Sequence, residues 1–189
     1  LRALCGFWRR VPSESTFSRA FASFACQGLG DAALSRLSRE TFGDSVVMHV
    51  ARDSTAVHAR ERPLLKAKKE RKAKGRPGRK KGVPPKAKEE KRQVRQLREA
   101  PLVSLSELPK ACDVGTKRNS KGHDVHWIGF KFHVDVTDEG FPLSAATTSA
   151  SVHDCQFAIP LAKLTAERTL AVCYQIMDAG YVGEPIREA

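Results

Sequence analysis

Two aspartates in this 189-residue chain lie at the ends of apolar stretches, where their carboxylates could hold a divalent cation. Asp53 ends the β-branched stretch 46–53, and Asp178 follows the apolar stretch 170–177. If the two stretches are parallel neighbouring strands joined by a right-handed crossover, both carboxylates emerge at one sheet edge. Carboxylates bind Mg²⁺ or Mn²⁺, and two such ions about 3.5–4 Å apart can activate water and stabilise the leaving 3′ oxygen of a phosphodiester. The alternative is that each aspartate only caps the turn after its strand.

A cluster of cations between residues 74 and 82 has the chemistry of a DNA contact. Its sequence, Lys-Gly-Arg-Pro-Gly-Arg-Lys-Lys-Gly, resembles an AT-hook. An extended Gly-Arg-Pro backbone is narrow enough for the minor groove of A·T-rich DNA, where the negative potential attracts arginine. The alternative is a solvated polybasic loop that contacts phosphates without selectivity. Either interpretation predicts DNA contacts at Lys74, Arg76, Arg79, Lys80 and Lys81.

The histidines offer a weaker case for a metal site. His153 and Asp154 are adjacent, but adjacent side chains at a helix start point in different directions, and Asp154 is well placed to cap free backbone amides there. His123, His126 and His133 share no helix or strand face, because His126 and His133 would lie on opposite faces of one strand. Capping by Asp154 is favoured, and zinc binding by the histidines is not predicted.

Two helices are predicted before the first strand. Phe17, Phe21 and Phe24 have the spacing of one helical face, so a packed amphipathic helix is expected over about 16–27. Glycines then end this helix, and Asp31 is positioned to cap a second one. These phenylalanines are interpreted as packing residues without a chemical role.

The elements after residue 126 are predicted from alternation and turn residues. A half-buried strand leads through a hairpin turn into an antiparallel partner, followed by a helix bent near Pro160 and a buried strand. The corresponding ranges are 128–136 for the strand, 137–140 for the turn, 141–148 for its partner, 151–164 for the helix and 170–177 for the last strand.

The charge of the chain is concentrated in one segment. Lysine and arginine number 33 against 21 acidic residues, a net charge of +12, which favours a polyanionic partner such as nucleic acid. Residues 58–98 alone contain 18 basic and four acidic residues. Because this segment is rich in proline and glycine and poor in large apolar residues, a basic, disordered insertion is predicted at 58–125. A helix, marginal or induced by DNA, is the alternative for 86–99.

Composition also bears on the compartment. Hydrophobic residues make up 41% of the chain, which excludes wholesale disorder, and no window approaches the roughly 18 apolar residues of a membrane span. The five cysteines contain no C-x-x-C pair, and their odd number argues against a disulfide framework. We expect a cytoplasmic protein that is nucleoid-associated when bound to DNA and has no membrane partner.

Five motifs follow one another in a fixed order along the chain. They are Asp53-Ser54-Thr55, Gly129-Phe130-Lys131-Phe132-His133, Asp138-Glu139-Gly140-Phe141-Pro142-Leu143, Thr148-Ser149-Ala150-Ser151-Val152-His153-Asp154 and Met177-Asp178-Ala179-Gly180-Tyr181. In these motifs the chain resembles the DDE transposases of bacterial insertion sequences, which have a ribonuclease-H-like catalytic core. The similarity spans about 46–181, and residues 5–19 also resemble the end of that family's N-terminal helical region.

The resemblance implies roles for both aspartates. Asp53 matches the first catalytic acid and Asp178 the second, with Mg²⁺ or Mn²⁺ as cofactor. The family's third acid is a glutamate on a helix well downstream, in a Tyr-Arg-Glu-Lys-like signature that this chain lacks. Glu184 and Glu188 follow Asp178 too closely to be assigned this role. We therefore expect a C-terminally truncated chain that is inactive alone.

The resemblance also implies the architecture and the partners. The expected fold class is α/β, a ribonuclease-H-like mixed sheet with flanking helices, incomplete at the C-terminus. A helical region over 1–44, for DNA binding or dimerisation, precedes a partial catalytic domain over 45–189. Transposon ends and target DNA are the expected partners, with a homodimer or higher assembly in the active complex. The alternatives are a non-catalytic basic DNA- or RNA-binding protein that retains the fold, or a ribosome-associated protein.

Overall fold

The computed structural model of the chain describes residues 11–63, 90–181 and 183–188. Lys74, Arg76, Arg79, Lys80 and Lys81, the predicted DNA contacts, lie outside the described residues. The α-helices of the described part are α1 (Glu14–Cys26), α2 (Leu29–Phe42), α3 (Arg92–Arg98), α4 (Pro101–Ser106), α5 (Ala158–Ala166) and α6 (Glu184–Arg187). The strands are β1 (Val46–His58), β2 (Asp113–Arg118), β3 (Asp124–Thr137), β4 (Pro142–Ser149) and β5 (Ala171–Met177). Short 3₁₀ turns occur at Asp154–Gln156 and Ala179–Tyr181.

The five strands form one mixed sheet, so the predicted α/β class is confirmed. The long strand β3 pairs antiparallel with β1 on one edge, and with β2 and β4 on the other. β1 pairs parallel with β5, as expected for the two apolar stretches that precede the predicted acids. The hairpin turn between β3 and β4 is present, and Gly140 supplies the positive φ of 82° that this turn requires.

Helix α5 packs against the sheet and is buried along most of its length. Phe157, Ile159 and Leu161 are fully buried in and just before it and belong to two apolar clusters, one with Leu108 and one with Ile186. The helix predicted over 151–164 is interrupted just before Pro160: a 3₁₀ turn over Asp154–Gln156 precedes α5, of which this proline is the third residue. The first turn of a helix tolerates a missing amide hydrogen, so α5 continues through it.

The prediction of a disordered insertion over 58–125 is wrong for residues 90–125. Helices α3 and α4 and strand β2 lie in this stretch, and α3 falls inside the range where a helix was the alternative. Lys163 of α5 donates hydrogen bonds of 2.8 Å to the carbonyls of Gln96, Leu97 and Glu99 at the end of α3. A lysine that satisfies the last carbonyls of a helix stabilises that helix through a distant part of the chain, which local composition cannot reveal.

The two N-terminal helices differ from their predicted packing. α1 buries no residue, and Phe21 and Phe24 are 69% and 51% exposed, so the prediction of a packed aromatic face is wrong for these two residues within the described structure. Asp31 does not cap α2; it lies in the first turn and accepts a hydrogen bond from Arg168 at 3.0 Å. α2 is further attached to the sheet by the Ser38 hydroxyl, which donates to the Leu143 carbonyl.

A buried ion pair joins the two central strands. Arg52 of β1 and Asp135 of β3 are directly opposite in the antiparallel register, and both are buried. The guanidinium donates from Nε and Nη2 to the two carboxylate oxygens, each at 2.7 Å. The Thr165 hydroxyl of α5 donates to the same carboxylate at 2.6 Å, and Arg52 Nη1 lies 3.5 Å from the Met177 sulfur. The ion pair therefore links β1, β3, β5 and α5.

We expect Asp135→Asn to lower the free energy of unfolding by about 3–5 kcal/mol, because it leaves the buried Arg52 guanidinium without its counter-charge. Urea denaturation measures the change. Asp138→Asn is the matched control, because Asp138 forms an exposed ion pair with His49, and such pairs contribute about 0–1 kcal/mol. Equal effects of the two substitutions would contradict the central role of the buried pair.

Candidate active site

The two predicted acids lie at the point where the parallel pairing of β1 and β5 ends. The last paired residues are Arg52 and Met177, so Asp53 and Asp178 are the next residues of the two chains. The structure thus brings both acids to one place. Asp53 does not end its strand as predicted, because β1 continues to His58 through its pairing with β3. Beyond Arg52, this edge of β1 has no strand partner among the described residues.

A cavity of about 430 Å³ opens beside this free edge of β1. We call it the acid pocket, because three carboxylates line it: Asp53, Asp178 and Asp154. The remaining lining residues come from four segments: Ser54, Thr55 and Ala56 of β1, Thr116, Lys117 and Arg118 of β2, Trp127 and Lys131 of β3, and His153. The sequence identified two of the three acids and did not connect the third to them.

Both predicted acids are exposed and make one local hydrogen bond each. Asp53 Oδ1 accepts from the Ser54 amide at 2.6 Å, and Asp178 Oδ1 accepts from the Gly180 amide at 2.9 Å. Neither carboxylate forms an ion pair within the part of the chain that the structure describes. The turn contact and the cation-binding interpretation are therefore compatible, since a backbone amide orients each carboxylate and its second oxygen stays available.

Gly180 of the Asp-Ala-Gly-Tyr motif lies close to two of the carboxylates. A Cβ atom at this position would lie 3.0 Å from Asp178 Oδ1 and 3.6 Å from Asp154 Oδ2. The first of these separations is shorter than side-chain carbons normally allow, so a substitution would displace the Asp178 carboxylate. The absence of a side chain thus lets two acids approach the same short turn.

Asp154 does not cap a helix, contrary to the sequence interpretation. Its Oδ1 accepts a hydrogen bond from Lys131 Nζ at 2.9 Å, and the same ammonium donates to the Val152 carbonyl. The residue that caps the 3₁₀ turn is His153, whose ring nitrogen accepts from the Cys155 amide. Lys131 alternates with apolar residues along β3, a pattern that indicates a strand face but not its ionic partner.

Tyr181 attaches the chain that follows Asp178 to the core. Its ring packs with Ala158 and Ile159, and burial together with the nearby Asp154 raises the pKa of its hydroxyl. This hydroxyl has no hydrogen-bond partner among the described residues that satisfies normal geometry, although Ser54 lies close enough to favour ionisation slightly. The tyrosine therefore stays neutral and anchors the chain after β5 against α5.

His133 belongs to one of the five sequence motifs, but its position in the structure is that of a core residue. It is fully buried, stacks on Phe157 with ring centroids 4.2 Å apart, and its Nε2 pairs with the Thr148 hydroxyl at 3.0 Å. Burial lowers its pKa from 6.5 to about 4. The imidazole is therefore neutral at physiological pH and belongs to the core.

The depressed pKa of His133 predicts a pH-dependent stability. The unfolded imidazole binds a proton near pH 6.5 whereas the folded one resists protonation down to about pH 4, so stability is lost as the pH falls through this interval. Between these two pH values, we expect His133 to lower the free energy of unfolding by about 3 kcal/mol. Urea denaturation at successive pH values measures this loss. His133→Gln should flatten the profile. A profile unaltered by His133→Gln would contradict the assignment.

No group of three or more histidine, cysteine, aspartate or glutamate side chains is close enough to share a metal ion within residues 11–63, 90–181 and 183–188. His126 pairs with the Thr116 hydroxyl at 2.8 Å instead. Glu184 begins α6, and neither it nor Glu188 lines the acid pocket. The donor set that fits a hard cation is thus the pair of available carboxylates, Asp53 and Asp178.

The sequence model of the transposase DDE domain family matches residues 103–189, a little under half of the chain. No curated protein and no solved structure matches the chain. The family match supports a DDE transposase, as the ordered motifs predicted, and the five-stranded mixed sheet with its helices is consistent with a ribonuclease-H-like DDE domain. Residues 103–189 are therefore similar to a transposase DDE domain.

The extent of the match matters for the site. It begins inside α4 and includes Asp154 and Asp178 but not Asp53, whose place beside Asp178 rests on the strand pairing. The family acts on DNA and generally uses a divalent metal. Among the described residues, no helix is long and apolar enough to span a membrane.

Proposed function

We propose that the chain carries the acid pair with which a transposase of a bacterial insertion sequence hydrolyses a phosphodiester at the element's ends and joins the freed 3′-OH to target DNA. The observation that supports this proposal most directly is the position of Asp53 and Asp178 immediately after the last paired residues of β1 and β5. Two carboxylates from neighbouring parallel strands at an open sheet edge are a suitable start for a cation site.

Asp53 and Asp178 would hold Mg²⁺ or Mn²⁺ in this proposal. A bound ion would activate water and stabilise developing charge on the phosphodiester oxygens. The chain's own residues orient the ligands: the amides of Ser54 and Gly180 fix one oxygen of each carboxylate. Lys131 compensates the charge of the third acid, Asp154, which reduces repulsion inside the pocket.

We expect Mn²⁺ to bind the chain modestly, and Asp53→Asn or Asp178→Asn each to weaken it about tenfold, because each removes one of two charged ligands, an effect of about 1.4 kcal/mol. Titration calorimetry measures the affinity. Asp138→Asn removes an exposed carboxylate outside the pocket and should leave the affinity unchanged. Unchanged Mn²⁺ binding in both pocket variants would remove the site.

Gly180→Ala provides a test that keeps both carboxylates. The added methyl group would press on Asp178 Oδ1, so Mn²⁺ affinity should fall severalfold. The urea midpoint should change little, since the methyl group would meet only the carboxylate oxygens at the ends of two side chains. Gly30→Ala is the matched control, because a Cβ there meets nothing within 4 Å. Native Mn²⁺ affinity in Gly180→Ala would show that the position of Asp178 does not matter for the ion.

Strand cleavage is the direct assay of the proposed reaction. We expect Mg²⁺-dependent nicking of DNA carrying the element's ends from a chain extended downstream to include the third acid. This nicking should require Asp53, with Asp53→Ala as the control. A basic DNA- or RNA-binding protein that retains the fold without the chemistry is the alternative, favoured by the concentration of positive charge in residues 58–98. DNA binding that persists in both aspartate variants, with no nicking by the native chain extended downstream, would favour that alternative.

Further parts of the proposal concern partners. DNA contacts at Lys74, Arg76, Arg79, Lys80 and Lys81 remain a prediction, as does the function of residues 1–44 in DNA binding or dimerisation. A homodimer or larger assembly is proposed because transposition brings two element ends together. Association with the nucleoid would follow from DNA binding.

A further inference from the structure

We propose that the β2–β3 hairpin, residues 113–129, binds the DNA backbone and holds it over the acid pocket, with Lys117 and Arg118 contacting phosphates. This inference rests on the proposed function, because it assumes that DNA is the substrate of the acid pair. It assigns a DNA contact outside the segment 58–98, in which the basic residues are concentrated.

The hairpin and the acids line the same cavity. Lys117 and Arg118 come from β2, whereas Asp53 comes from β1 and Asp178 follows β5. The pocket therefore has a basic side and an acidic side contributed by different strands. A phosphodiester next to three carboxylates is repelled by them, and nearby cations offset that repulsion and fix the position of the backbone.

The two cations are free to bind an anion. Lys117 makes no ion pair within the described part of the chain, and Arg118 has only a long contact of 3.5 Å with Asp124, in which both side chains are more than half exposed. Lys131, in contrast, is largely buried and already bound to Asp154 and the Val152 carbonyl. The available positive charge in the pocket thus belongs to the hairpin, and arginine and lysine are the usual partners of DNA phosphates.

The hairpin holds these cations on a well-defined scaffold. β2 pairs with β3 over six residues, and Asn119 Oδ1 accepts the amides of Lys121 and His123 in the connecting turn. Trp127 packs directly beneath Gly115, where a Cβ would lie 2.4 Å from the indole ring. A cation on a paired strand loses less conformational freedom on binding than one in an unstructured loop.

The test uses the full 189-residue chain, a duplex oligonucleotide and EDTA, so that no metal contributes. We expect Lys117→Ala/Arg118→Ala to reduce the slope of log affinity against log salt concentration by about 1.8, since each lost phosphate contact accounts for about 0.9. Affinity at 0.1 M salt should fall about tenfold. Both side chains are exposed, so the urea midpoint should stay close to that of the native chain.

Two controls separate position from charge. Lys110→Ala removes an exposed cation that does not line the pocket and should change the slope little. Lys117→Arg/Arg118→Lys keeps both charges and should retain the native slope. A native slope in Lys117→Ala/Arg118→Ala, or a comparable loss in Lys110→Ala, would overturn the proposal.

A second arm tests whether the bound DNA reaches the acids. In EDTA, Asp53→Asn/Asp178→Asn should raise the DNA affinity severalfold, because it removes two charges that repel the phosphates, and this gain should shrink when Lys117 and Arg118 are alanine. No gain would overturn the position assigned to the DNA. Deleting residues 64–89 should lower the DNA affinity, and Lys117→Ala/Arg118→Ala should lower it further in the shortened chain. If the double substitution has no effect in the shortened chain, this result would also count against the proposal.

The outcomes for the two proposals are distinct. A reduced slope in the lysine–arginine variant, together with unchanged Mn²⁺ binding in Asp53→Asn and Asp178→Asn, would support the DNA contact and reject the cation site. A native slope with lost Mn²⁺ binding would reject the hairpin contact and leave the acid pair intact.

Discussion

The buried ion pair between Arg52 and Asp135 is the constraint on which the site depends. Because the two residues face each other across β1 and β3, the pair fixes the register of these strands. Side chains alternate along a strand, so the residue after a buried Arg52 must point to the opposite face, and Asp53 is indeed exposed. A slip of one residue would bury Asp53 and expose the guanidinium, at a large cost in desolvation. The interaction that stabilises the sheet therefore also places the first acid at the surface.

The second acid depends on how β5 ends. Met177 is held against Arg52, and the chain then turns through Gly180 to bury Tyr181 against α5. Asp178 lies between these two attachments, so its position is determined on both sides by core contacts, whereas its own carboxylate remains accessible. An acid fixed in this way loses little freedom when it binds an ion, and a short turn without a side chain at Gly180 leaves space beside it.

Sequence patterns predicted the local features well and the long-range contacts poorly. Apolar stretches indicated strands β1 and β5 and the aspartates that follow their paired segments, because an apolar, β-branched stretch is a local signature of a strand. The packing of α3 could not be predicted in this way, since Lys163, about 65 residues away, satisfies its carbonyls. The ion pair of Asp154 could not be predicted in this way either, because its partner is Lys131 of β3, 23 residues earlier in the chain. β5 was expected to be buried because it is apolar, yet it is largely exposed as the edge strand of the described sheet.

The charged residues of the acid pocket differ in whether the fold itself provides them with a partner. Asp154 is compensated by Lys131 inside the fold, so the acids without an internal counter-ion are those at the open edge, Asp53 and Asp178. The cations without a strong partner are Lys117 and Arg118 on the same cavity. Unlike charges that do not pair with each other cost no desolvation while water fills the space between them, and each remains available to a ligand. Under the proposed function, an anionic nucleic-acid backbone and a metal cation would together satisfy both sets of charges, so the ligands would link Lys117 and Arg118 to the acids.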